Sequence, residues 1–108
     1  MEKFKFNQKT KKLFETISAL KNPEEAKDFF RDLCTMDEIK EMSERWEIAN
    51  LLNQNMSYRK ISEKMKVSTT TVSRVALWLY NGTGGYQLML KRLSHQHQPT
   101  SSSGKGLR

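Results

Sequence analysis

Between Asn7 and Leu93 apolar residues recur at intervals of three and four, with polar residues between them, the period that lays one apolar stripe along a helix. The chain therefore reads as all-helical. A first helix, roughly 8–20, carries Leu13, Phe14, Ile17 and Leu20 on one face. The run "NPEE" then supplies Asn22 as an N-cap, Pro23 at the first helical position, and Glu24 and Glu25 in the first turn, where the helix dipole favours carboxylates. The stripe of this second helix, Ala26, Phe29, Phe30 and Leu33, is expected to be buried. Thr35 followed by Glu38 is a capping box that opens a third helix reaching about Asn53. Its residues Met36, Ile39, Met42, Trp46 and Ala49 share a face that Ile48, Leu51 and Leu52 widen, so it is expected to pack both its own domain and a partner subunit.

After "NQNM", Ser57 caps a short helix, 58–65, and Ser68 caps another, from Thr69 to about Tyr80. The stretch "NGTGG" stops it with residues tolerant of positive φ, and "YQLMLKRL" forms a last amphipathic helix. This organisation predicts one domain over 1–94, a helix-turn-helix at about 57–80, and a disordered polar tail over 95–108. His95 and His97 have no neighbouring thiolate or carboxylate ligand in that tail, so no metal site is expected.

The segment "MSYRKISEKMKVSTTTVSRV" carries the most information. Two short helices can stack across a tight turn only if the inward positions are apolar, and Ile61, Met65, Val67, Val72 and Val75 have that spacing, with small Ser62 at the crossing. Outward on the second helix remain Ser68, Thr69, Thr70, Thr71, Ser73 and Arg74. Threonine is a weak helix former, but a helix entering the major groove needs short side chains for close approach, hydroxyls for phosphates or base edges, and methyls for thymine. Arg59 and residues Thr69 to Arg74 are expected to read bases, while Ser57, Tyr58, Lys60, Lys64 and Ser68 hold phosphates.

Charge supports that reading. The net charge is +7, yet residues 14–55 carry −5 and residues 56–76 carry +4. Residues 1–13 and 77–108 each carry +4 as well, and a basic block beside the acidic stretch points to one surface that meets a polyanion such as double-stranded DNA. Cys34 is the single cysteine, which excludes an intramolecular disulfide and suits a reducing cytoplasm. The start "MEKFKFNQKTKK" lacks an apolar signal core and no run of eighteen apolar residues occurs, so a soluble protein without membrane association is expected. No phosphate loop, nucleophile with a matched base, or metal cluster is present, so neither an enzyme nor a cofactor is expected.

The stretches "TMDEIKEMSERWEIANLL", "MSYRKISEKMKVSTTTVSRV" and "NGTGGYQLMLKRL" together resemble the Trp repressor family, most closely its YerC/YecD-like branch. That resemblance implies an intertwined helical homodimer presenting two recognition helices to DNA, a transcriptional regulator and most simply a repressor. One departure is Lys66, where helix-turn-helix proteins usually carry glycine. A left-handed lysine costs about 1 kcal/mol, so a slightly altered turn is expected. The resemblance also implies a possible effector pocket. Thr35, Arg45 and Arg74 correspond to a threonine and the two arginines around the tryptophan ligand, whereas Val75 and Trp78 replace a glycine and a serine. The added bulk argues against tryptophan sensing, with Arg45 serving a salt bridge and Arg74 a phosphate as the alternative. A reading from another class is a protein-interaction adaptor whose basic block meets an acidic partner in a larger nucleic-acid-associated complex.

Overall fold

The computed structural model describes the backbone of residues 5–97 and the side chains of residues 5–94. Among the described residues the helices are α1 (Gln8–Ser18), α2 (Pro23–Leu33), α3 (Met36–Asn53), α4 (Tyr58–Met65), α5 (Thr69–Asn81) and α6 (Gly85–His97), with no strand. They form two compact units, one ending at Ser43 and the other beginning at Glu44.

In the first unit each helix start is written by a side chain. Asn7 Oδ1 accepts the Thr10 amide at 2.9 Å and opens α1. The Asn22 side chain accepts the Glu25 amide at 2.9 Å, while Glu25 reaches back to the Lys21 amide at 2.9 Å. At α3 the expected capping box forms in full: the Thr35 hydroxyl oxygen accepts from the Glu38 amide, and the Glu38 carboxylate accepts from the Thr35 amide at 2.8 Å. Helix α1 ends at Ser18, short of Leu20, because the amides of Ala19 and Leu20 tighten into bonds with the carbonyls of Thr16 and Ile17.

The stripe of α2 differs from the expected burial, and that of α1 is open as well. No residue of either helix is buried in the single chain, and Phe14, Leu33, Met36 and Met42 are 46, 47, 62 and 37% exposed. Phe29 and Phe30 are half-buried and meet edge to face at 5.8 Å. The apolar spacing is present, but this short unit has too few residues to cover it.

The second unit holds the core. Ile48, Ala49, Leu51 and Leu52 of α3, Ile61 of α4, Val72, Val75, Ala76 and Leu79 of α5, and Leu90 of α6 form one buried cluster, flanked by Trp46, Met56, Met65, Val67 and Tyr86. Helix α3 ends with Asn55 in the left-handed region, φ 66°, and the Met56 amide bonding the Leu51 carbonyl at 3.1 Å, a six-to-one closure that spares the last carbonyls. Helix α6 continues past Leu93 through His95 and His97. The rest of the expected polar tail, 98–108, and the side chains of His95 and His97 lie outside the described residues.

Candidate nucleic-acid interface

Ser57 and Ser68 set the two helices of the motif. Each hydroxyl oxygen accepts an amide three residues on, Lys60 and Thr71 respectively, both at 3.1 Å. Between the helices, Lys66 adopts φ 59°, ψ 45° and donates its amide to the Ser62 carbonyl, which also accepts the Val67 amide at 3.2 Å. The Ser62 hydroxyl donates to the Val67 carbonyl at 2.6 Å. The turn is therefore not altered at Lys66 as expected; the lysine takes the glycine conformation, and three hydrogen bonds centred on Ser62 hold it there. Sequence reasoning saw only the small size of Ser62.

Below this turn Ile61 and Val72 are fully buried and Val75 is 1% exposed, so α4 and α5 seat on a shared apolar floor. Thr69, Thr70, Ser73 and Arg74 are left exposed on the opposite side of α5. Thr71 is half-buried, and its hydroxyl lies 3.0 Å from the Ser68 hydroxyl, which draws both into the cap. On α4, Tyr58, Arg59, Lys60 and Lys64 are exposed, with Arg59 Nε 3.3 Å from the Glu63 carboxylate. That pair is solvent-exposed and weak, so Arg59 can exchange Glu63 for a phosphate or base.

The residues of the expected effector pocket fall in both units. Thr35 belongs to the first unit, where its hydroxyl caps α3. Arg45 and Arg74 are exposed residues of the second unit, on α3 and α5. Val75 is part of the core, and Trp78 is 37% exposed. Near Arg45 sequence reasoning missed an aromatic pair: Trp46 and Tyr86 stack with ring centroids 6.2 Å apart and planes inclined by 14°. Burial raises the Tyr86 hydroxyl above its ordinary pKa, against the nearby Arg45 charge, which lowers it. No helix among the described residues is long and apolar enough to cross a membrane.

Two capped helices on a common floor, with a left-handed turn between them and short hydroxyls facing out, define a helix-turn-helix protein. The chain belongs to the Trp repressor family, whose sequence pattern, described as "Trp repressor protein", spans residues 8–94. It is 39% identical over 90 residues to the protein described as "Uncharacterized protein YerC" of Bacillus subtilis (strain 168), covering 83% of this chain and 86% of YerC. A TrpR-like protein from Eubacterium eligens ATCC 27750 superimposes with TM-score 0.77 at 42% identity, covering 82% of this chain and 91% of that one. A structure from Staphylococcus aureus gives the same TM-score at 36% identity, with 82% and 89% covered. The family is one of helical DNA-binding regulators.

Proposed function

We propose that the protein is a sequence-specific regulator of transcription, most simply a repressor, that binds double-stranded DNA in the cytoplasm as a homodimer. The observation that carries this reading is the outward face of α5: Thr69, Thr70, Ser73 and Arg74, all exposed, on a helix whose other side is locked into the core by Val72 and Val75. Thr70, Ser73 and Arg74 would meet base edges, with Thr69 and Arg59 beside them. Ser57, Tyr58, Lys60, Lys64 and Ser68 would meet phosphates, and Thr71 would act mainly by bracing Ser68. The open apolar faces of α1, α2 and the first half of α3 support dimerisation, since exposed Phe14, Leu33, Met36 and Met42 are costly without a partner.

The test is enrichment from a labelled genomic DNA pool at physiological salt. Recovery of a shared sequence supports the regulator, and uniform recovery or none supports the adaptor. One observation favours the adaptor as second reading: Leu77 and Tyr80, on the last turns of α5, are 49 and 57% exposed and offer an apolar patch to a protein. Tryptophan is not expected to govern DNA binding, because Val75 belongs to the permanent core; a tenfold tightening by millimolar L-tryptophan would overturn this.

A further inference from the structure

Two adjacent residues in the first turn of α6 reach in different directions. Tyr86 lays its ring against Trp46 of α3, with centroids 6.2 Å apart and planes nearly parallel. Gln87 sends its side-chain amide to the Leu79 carbonyl of α5 at 2.7 Å. That carbonyl belongs to the C-terminal end of α5, where helix carbonyls lose their internal partners. The loop between α5 and α6 is itself tight: Gly82 donates to the Trp78 carbonyl at 3.0 Å, and Gly84 sits at φ 94°. We infer that Tyr86 and Gln87 are positioning residues for DNA reading, a clamp by which α6 ties the C-terminal end of α5 to α3 and so fixes the angle at which Thr70, Ser73 and Arg74 are presented.

The hydrogen bonds that hold α4 are separate from the clamp: they join Ser62 to Lys66 and Val67, whereas the clamp's bond joins Gln87 to Leu79. Ile61 of α4 belongs to the buried core that Tyr86 flanks, so the Ser62 turn is what keeps α4 seated when the clamp is lost. Losing the clamp therefore loosens one end of α5 and leaves α4 in place. Burial of the Tyr86 ring against Trp46 supplies the apolar half of the clamp, and the Gln87 bond supplies its direction. A flat ring is needed at position 86, whereas its hydroxyl is dispensable.

The inference rests on the DNA-binding reading for its consequence and not for its geometry, and the experiment separates the two. Amide hydrogen exchange along α4 and α5 is measured in the full chain, together with affinity for the DNA recovered by enrichment. Tyr86→Ala is expected to speed exchange in the C-terminal half of α5 by about tenfold, equivalent to about 1.4 kcal/mol of local opening, with α4 unchanged and DNA affinity reduced by a similar factor. Gln87→Ala should act in the same direction. Tyr86→Phe should restore both readouts, and millimolar p-cresol, which can refill the space left in Tyr86→Ala, should slow α5 exchange again. Unchanged α5 exchange in folded Tyr86→Ala overturns the clamp, as does equal acceleration in α4 and α5. Should Tyr86→Ala fail to fold, Tyr86→Leu and Gln87→Ala replace it, and unchanged α5 exchange in both has the same force. Faster α5 exchange in a protein that selects no DNA leaves the clamp standing and removes the DNA-binding reading instead.

Discussion

Lys66 holds a left-handed backbone with a side chain that ordinarily disfavours it, φ 59° and ψ 45°. The cost is about 1–2 kcal/mol for a residue with a β-carbon, offset by the Ser62 bonds on either side. Lys66→Gly is thus expected to stabilise the fold by about 1 kcal/mol, less what glycine loses in unfolded-state entropy; urea denaturation with an unchanged slope would show it. On α5 and α4, roles divide by what each side chain can touch. Arg74→Ala and Thr70→Ala should each cost about 1–3 kcal/mol on the selected sequence and relax preference at one position. Lys64→Ala should weaken all DNA alike and lower the salt slope by about 1. Filter binding on selected and random duplexes across a salt series checks this, and equal losses for the three variants on both duplexes would contradict it.

At the scale of elements, helix starts were legible and helix ends less so. The caps at Asn22, Thr35, Ser57 and Ser68 are local chemistry, each a side chain bonding an amide three residues on, so a short window of sequence contains them. The end of α1 at Ser18 is set by the bonds of the Ala19 and Leu20 amides to the Thr16 and Ile17 carbonyls, which apolar spacing does not record, and α6 runs to His97, beyond its last apolar position at Leu93. The candidate interface divides in the same way: exposure of Thr70 and Arg74 followed from helical spacing, whereas the Trp46–Tyr86 stack joins residues separated by α4 and α5 and emerges only from the fold. That stack has a pH signature. Burial raises the Tyr86 pKa above 10.0, so the folded state keeps its proton where the unfolded chain has lost it. The stabilisation is complete below about pH 10 and disappears as pH rises through the higher folded value. Denaturation followed from pH 8 to 11 should show this loss in the unmodified protein and a smaller one in Tyr86→Phe.

For the whole molecule, the uneven cover of apolar surface predicts its assembly. One unit buries a continuous core, and the other leaves all of α1 and α2 at least partly open. A dimer is expected to be the folded species at micromolar concentration, with recognition helices reaching half-sites about 34 Å apart. Sedimentation equilibrium measures this, and a stable folded monomer would contradict it.

The Ser62 turn, the Ser68 cap and the seat beneath Val72 have a thermodynamic consequence. At the start of α5 the Thr71 amide is bonded to the Ser68 hydroxyl, the Val72 amide to the Ser68 carbonyl and the Val67 carbonyl to the Ser62 hydroxyl, so the proposed reading surface is ordered before DNA arrives. Such a surface docks without the large ordering entropy of a segment that folds on contact. Titration calorimetry at several temperatures should therefore give a heat-capacity change no larger than the buried apolar contact area accounts for. An excess of the size that marks coupled folding would mean that α5 is assembled by its DNA.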